Sequence, residues 1–451
     1  MTQSRSNAAR ETVDRVRQAL GHSAAPQARS GSTPATDEQR EFDFTTLPEY
    51  EIMKIWKAVG DITSIGNPFY RLHDGRAGNT MSFDGRVVAN FSSYDYLGLN
   101  GHPDVSAAAK AAIDRFGTSV SASGLSAGER QVHRDLEAAL ARLSGTEEAV
   151  AFVSGHGANV SVIGELLGPQ DLIVADAVIH NSIVEGAKLS GAKRTLCPHN
   201  DLDAFERALR LNRARYRRTL IVVEGLYSMD DGLPDLAGLI KLKRRCNAWL
   251  MVDEAHATGT LGRTGRGIAE EQDIDPAEVE IWMGTPSKTL AAAGGYIAGS
   301  RALIDLIKYT SPGLVFSVGL SPPVAAAATA AVDVMMREPW RTAALRRNGL
   351  FLLKQARARG LDTGLSIGAS VVPVIVGNSP QTAMLPEGLL ECGFNVVPAV
   401  FPGVAENQAQ LRLFVTSEHT PEQIANVIGA VAEELPKIRN GSSFVSTIAG
   451  G

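Results

Sequence analysis

Five polar clusters interrupt the apolar stretches of this chain, and each falls where a strand should end. In IWMGTPSKTLAAAGGYIAG, Lys288 is flanked by Ser287 and Thr289 and then by small and apolar residues. Lysine is rarely buried without a partner, and a partly desolvated amine can form a Schiff base with an aldehyde. In MVDEAHATGTLGRTGRG, Asp253 and Glu254 close a strongly apolar run and His256 follows at once. A carboxylate at the end of a buried strand needs a cation or a hydrogen bond. Adjacent strand residues face opposite ways, so Asp253 and Glu254 do not converge as metal ligands. SGHGAN (Ser154 to Asn159) follows the run EEAVAFV, and Gly155, His156 and Gly157 open a helix whose free N–H groups suit an anion. His180 lies just past DLIVAD at a helix start, where an imidazole either caps the helix or stacks on a flat ring. Ser228 follows TLIVVEG and precedes an acidic turn.

Taken singly, each cluster has an ordinary structural reading: a strand-to-helix turn, a helix cap, a loop, a snorkelling lysine. Together they form the set required to hold pyridoxal 5′-phosphate (PLP), covalently at Lys288. Asp253 would pair with the pyridine nitrogen and favour its protonated form, which makes the ring an acceptor for carbanion electrons. His256 would contact the ring hydroxyl. Thr285 and the turn at Gly155 would hold the phosphate.

Ligands of open parallel sheets bind beyond the carboxyl ends of the strands, so the elements behind these clusters matter. VHRDLEAALARLSG reads as an amphipathic helix closed by Gly145; EEAVAFV, DLIVAD, TLIVVEG and AWLMVDE read as strands; LDAFERALR and LAGLIKLKRRC read as helices between them. This alternation predicts crossover units and a mainly parallel sheet. Continuous apolar runs predict strands covered on both faces. An Ala-rich helix follows Pro322, then a long helix from Trp340 to Arg359, then the strands ASVVPVIVG, FNVVPAV and QLRLFVT and a helix PEQIANVIGAVAEEL. The expected organisation is a flexible tail over 1–45, an arm over 46–95, a large α/β domain over 96–335, a small C-terminal α/β domain over 336–440 and a tail over 441–451. ETVDRVRQAL (Glu11 to Leu20) has helical spacing within the first tail.

The chain has 451 residues and a net charge of −5, which gives no basic footprint for nucleic acid and no polybasic membrane patch. Three widely spaced cysteines, Cys197, Cys246 and Cys392, argue against a disulfide framework or a zinc knuckle and fit a reducing cytoplasm. No apolar run is long enough to span a bilayer, and the N-terminus lacks an apolar signal core.

Over roughly Pro48 to Lys437 the chain resembles the α-oxoamine synthase family of fold-type I PLP enzymes. The family includes 8-amino-7-oxononanoate synthase, 5-aminolevulinate synthase, serine palmitoyltransferase and 2-amino-3-ketobutyrate ligase. The resemblance is carried by FSSYDYLGLNGHP, SAGERQVHRDLE, FVSGHGAN, the segment around His180, EGLYSMDDG, VDEAHATGTLGRTGRG, GTPSKTLAAAGGYIAG and QLRLFVTSEHT. It implies an α/β fold with a mainly parallel, seven-stranded sheet. It also implies a PLP-dependent decarboxylative condensation of a small amino acid with an acyl thioester, on CoA or an acyl carrier protein, by a homodimer. Lys288 would hold the cofactor and then move protons. His180 would stack on the ring, Ser228 would lie near the ring hydroxyl, and Arg412 would bind the amino-acid carboxylate through a bidentate fork.

Several positions depart from the family pattern. Tyr94 stands where oxononanoate and aminolevulinate synthases carry Asn. Val400 stands where oxononanoate synthase and serine palmitoyltransferase carry a further Arg. Ser123 replaces a Thr that restricts aminolevulinate synthase to glycine, which opens the site to alanine or serine. Ser317 and Val318 stand where relatives place a phosphate-binding Thr reaching across from the partner subunit. The preamble LPEYEIMKIW…GNPFYRLHDG resembles the branch that works beside polyketide pathways, which would make the N-terminal tail a dock for a carrier protein. The competing readings are oxononanoate synthase or ketobutyrate ligase proper, an aminotransferase on the same fold, and a degenerate subunit, which Lys288 opposes. No GxGxxG or GxxxxGK[ST] follows a strand to suggest a nucleotide module.

Overall fold

The computed structural model describes residues 44–48, 50, 53, 54, 69–401 and 403–449. The helix read at Glu11–Leu20 and nearly all of the segment 1–45 lie outside the described residues. The first two strands among the described residues, β1 (Thr80–Phe83) and β2 (Arg86–Asn90), form a hairpin. The central sheet contains β3 (Glu148–Phe152), β4 (Leu172–Asp176), β5 (Lys193–Cys197), β6 (Thr219–Glu224), β7 (Trp249–Asp253), β8 (Ile281–Gly284) and β9 (Gly295–Gly299). Its order is β3-β9-β8-β7-β6-β4-β5, parallel from β8 to β5, with β9 antiparallel to both neighbours. This is the seven-stranded, mainly parallel α/β sheet expected.

The continuous apolar runs are explained by two separate cores. Leu172, Val174, Ile221, Val223, Leu250 and Val252 face one way, against the helices Gln131–Ser144, Leu202–Asn212, Leu236–Cys246 and Pro322–Arg337. The alternate residues Ile173, Ala175, Leu220, Val222 and Met251 face the other, against Gly155–Leu166, Asn181–Ser190 and Arg301–Thr310. The period of two thus delivers one strand to both layers. Every crossover helix returns the chain to the same edge, so Asp176, Glu224, Asp253 and Gly284 all terminate their strands there.

The C-terminal third adds β10 (Val371–Ile375), β11 (Phe394–Asn395), β12 (Val397–Ala399) and β13 (Gln410–Phe414). β10-β13-β12 form an antiparallel sheet beside the helix Trp340–Ala358. FNVVPAV, read as one strand, is split: β11 joins β2 in parallel and β12 joins β13. The final helix runs from Pro421 to Ala449, past Pro436 and on through the stretch read as a tail. Extending a formed helix fixes one residue per hydrogen bond, which is far cheaper than nucleating one. Among the described residues no helix is long and apolar enough to cross a membrane.

Candidate active site

The cluster is built on the carboxyl ends of β6, β7 and β8. Asp253 is buried, and register pairs it with Glu224 on one side and Met283 on the other. Its Oδ1 accepts from the Ala255 N–H at 2.9 Å, and its Oδ2 accepts from Asn159 Nδ2 at 2.9 Å. Asn159, on the Gly155–Leu166 helix, also donates to Ser182 Oγ at 2.9 Å. Ser182 Oγ lies 2.7 Å from Nδ1 of His180, which caps the next helix. Glu254 points away from Asp253 and accepts instead from the Ile268 N–H. The two neighbouring carboxylates therefore serve different faces, as strand geometry requires.

Glu224 accepts from the His180 N–H at 2.6 Å and from the Ser228 backbone. Burial, with Asp253 beside it, pushes its carboxyl up to about 8. Burial and then Lys288 depress the basicity of His256 well below an ordinary imidazole. His256 Nδ1 is 2.7 Å from the hydroxyl of the fully buried Tyr96. Lys288 sits in the β8–β9 connection, and its Nζ stands 5.9 Å from the centroid of the Tyr94 ring. Burial lowers the proton affinity of this amine against the pull of Asp253 and Glu224. Tyr94 packs edge-on against Phe414 at 4.7 Å and against His256 at 6.1 Å.

Arg412 reaches this cluster from β13. Its guanidinium lies 4.7 Å from the centroid of the Phe414 ring, and Nη2 donates to the Ser228 carbonyl at 2.7 Å. Nε of Arg412 and Oδ1 of Asn159 are buried without a hydrogen-bond partner among the described residues. Gly155 and Thr285 meet at the end of β8, the strand that pairs with β7. A Cβ on Gly155 would stand 3.2 Å from Met283 Cε and Thr285 Cβ, so the backbone approaches more closely than a larger residue permits. Ser154 caps the helix by accepting from the Gly157 N–H, and His156 is exposed at this end. Thr285 Oγ1 bonds Ser287 Oγ at 2.6 Å and the Gly294 carbonyl at 2.5 Å.

Lys288, Asp253, His180, His256, Ser228, Arg412 and Tyr94 are thus brought together, with Gly155 and Thr285 beside them. Among the described residues no hydrogen bond joins Ser123 or Ser317 to this cluster. The Ser123 carbonyl accepts from Gly128 N–H, and Ser317 Oγ donates to the Val318 carbonyl. Both flank a cleft of about 800 Å³ lined by Leu125, Val153, Tyr309 and Val318. Asn159, Ser182, Glu224 and Tyr96 complete the cluster but were not singled out from sequence. Asn159 lies in SGHGAN and Tyr96 in SSYDYLGL, so two of the four were visible as members of motifs.

The donor set fits PLP. It offers an amine of lowered basicity, a buried carboxylate held by an amide, and two buried polar atoms still open. The class I and II aminotransferase family model matches residues 86–431. A putative 8-amino-7-oxononanoate synthase of Gloeobacter violaceus is 40% identical over 367 residues, covering 80% of this chain and 92% of the relative. An 8-amino-7-oxononanoate synthase of Geobacter sulfurreducens is 38% identical, over 79% and 91%. Among solved structures, serine palmitoyltransferase of Sphingomonas wittichii superposes with a TM-score of 0.83 at 28% identity, over 88% of this chain and 99% of that one. The S. paucimobilis enzyme with PLP and myriocin bound gives the same TM-score, 0.83, and the same coverage at 26% identity. The chain therefore belongs to the class I and II aminotransferase family and, within it, to the α-oxoamine synthases, fold-type I enzymes that depend on pyridoxal phosphate.

Proposed function

We propose that this enzyme condenses a small amino acid (glycine, alanine or serine) with an acyl thioester, releasing carbon dioxide and a free thiol and leaving an α-oxoamine. The observation that carries the reading is a half-buried Lys288 amine of lowered basicity placed among Asp253, His180 and Arg412 at the strand ends. When bound, the cofactor supplies an aldehyde for that amine and a ring that accepts the electrons left at the amino-acid Cα. Lys288 would hold it and move the proton at Cα. Asp253, fixed by Asn159, would pair with its ring nitrogen. His256 and Ser228 would serve its ring hydroxyl. Gly155, His156, Thr285 and Ser317 would take its phosphate, with Ser317 supplied by a second copy. His180 would pack on it. Arg412 would grip the amino-acid carboxylate and so orient the bond to be broken. Tyr94 and Ser123 shape the space for the side chain and acyl group.

A homodimer is part of this reading. Leu125, Tyr309, Phe316 and Val318 are exposed at or beside the cleft that Ser123 and Ser317 flank, which is the place for a second copy. So are the large domain over 96–335, the small one over 336–440, and a cytoplasmic setting, which the three free cysteines support. A carrier-protein donor docking on residues 1–45 is tested by comparing one acyl chain on CoA and on a carrier protein, with and without those residues. Equal rates in all four cases remove it. The reaction itself is tested by mass spectrometry of products after offering glycine, alanine and serine with a panel of acyl thioesters. Appearance of an α-oxoamine with one equivalent of free thiol is expected, and amino-group transfer without thiol release overturns it. The names of the sequence relatives favour 8-amino-7-oxononanoate synthase as a second reading, and the acyl chain accepted in the same panel decides it.

A further inference from the structure

The turn Tyr227–Gly232 carries two carboxylates, Asp230 and Asp231, and the chain uses both. Asp230 Oδ2 lies 2.8 Å from His199 Nε2, and the other nitrogen, Nδ1, lies 2.9 Å from Asp176 Oδ1. Asp176 ends β4, is fully buried, and also accepts from the Val178 and Asn200 N–H groups. The Tyr227 ring packs edge-on against the imidazole at 4.5 Å. An imidazole facing a carboxylate through each nitrogen must donate from both, so it is the cation. On the opposite side of the turn, Asp231 is buried and accepts from the Ala369 N–H, the Ser370 N–H and Ser366 Oγ, just ahead of β10. Between these anchors two carbonyls of the turn face β13. Ser228 accepts from Arg412 Nη2 and Met229 accepts from Gln410 Nε2, both at 2.7 Å.

We propose that His199 is a positioning residue for amino-acid binding: the Asp176–His199–Asp230 bridge fixes the Tyr227–Gly232 turn, whose carbonyls hold the Arg412 guanidinium in its carboxylate-binding orientation. The inference rests on the reading of Arg412 given above. The guanidinium commits one Nη2 N–H to the turn, while its buried Nε has no partner among the described residues and is left for a ligand. With the cation removed, Asp176 and Asp230 face each other without compensation, and the turn loses its attachment to β4. The Ser228 carbonyl then no longer defines where the fork points. A neutral glutamine at 199 can bridge at most one side with a proper donor.

The test is calorimetric titration of the holoenzyme with glycine, alanine and serine, beside steady-state kinetics. His199→Gln should weaken the best-bound amino acid by about tenfold. The acyl-thioester KM should stay within about twofold and kcat within about threefold. A staple that merely stabilises the fold would not produce that split. In the Arg412→Ala background the same substitution should add less than about twofold, because the path to the ligand is already cut. If Arg412→Ala weakens binding but His199→Gln does not, or if the two losses add in full, the inference is overturned while the role of Arg412 stands. If Arg412→Ala leaves amino-acid affinity unchanged, the reading of Arg412 falls and takes the inference with it. Should His199→Gln fold poorly, Asp230→Asn breaks the same bridge from its more exposed end and is read in the same way.

Discussion

Two carboxylates end neighbouring regions of the same sheet edge, Asp176 on β4 and Asp253 on β7, and their surroundings differ in one respect. Asp176 is saturated: two backbone N–H groups and an imidazolium consume its oxygens, and the far nitrogen of that imidazolium meets Asp230. Around Asp253 the accounting is left open. Among the described residues Asn159 Oδ1 and Arg412 Nε are buried with no partner, and Lys288, close to both Asp253 and Arg412, forms no ion pair. Asp176 already has its cation in contact and serves the fold, whereas Asp253 has an amine close by and no cation bonded to it among the described residues, the arrangement a ligand would complete. Burial and charge alone do not separate the two; the placement of the cation does.

Substitutions on each side should break this contrast in different observables. The largest effect belongs to Lys288→Ala, which should abolish the visible absorbance of bound cofactor and reduce turnover by at least about 10³-fold. Borohydride reduction of the wild type should leave a tagged peptide at Lys288, and its absence in protein purified with ample cofactor would count against the assignment. Asp253→Asn keeps the shape and the contact with Ala255, yet removes the charge opposite the ring nitrogen. Its kcat should fall by about 10²- to 10³-fold, with the melting temperature little changed. On the closed side, Asp176→Ala leaves the His199 cation half-paired. It should reduce unfolding free energy by about 3 kcal/mol, read from urea denaturation, while the cofactor absorbance persists.

The smallest effect is a slope with pH. Burial works against the charge on His199, but its hydrogen bonds to Asp176 and Asp230 outweigh it and raise the imidazole to about 10. Folded protein therefore keeps a proton that the unfolded chain releases above about 6.5. The stabilisation is complete below that value, declines as pH climbs, and is gone beyond about pH 10. Melting temperatures between pH 6.5 and 10 should fall more steeply for the wild type than for His199→Gln.

The strands β3, β4, β6 and β7 were legible because both faces are buried and the apolar run is unbroken. β5 was not, because KRTLC lies at the sheet edge with four of its five residues at least partly exposed. The helix Ser379–Glu391 was hidden by Pro386 in its interior, which costs a backbone hydrogen bond and ordinarily marks a break. At the site, motif order exposed Lys288, Asp253 and His180, since each sits at a predicted strand or helix boundary. The Asp176–His199–Asp230 bridge could not be read. Its members lie at the end of β4 and in the connections after β5 and β6, and only the order of these strands in the sheet brings them together. Asn159 was likewise invisible as a partner of Asp253, which lies 94 residues further on.

The reversed direction of β9 has a mechanical consequence. Because it runs against β8, the loop carrying Lys288 begins and ends at one rim, with its exit at Gly295 pressed so closely on Gly155 that no side chain fits between them. A span pinned at both feet has little travel. The amine can swing on its own four-carbon arm, but its root is stationary, so drift elsewhere in the lineage can reshape the walls of the chamber without moving the post at its centre.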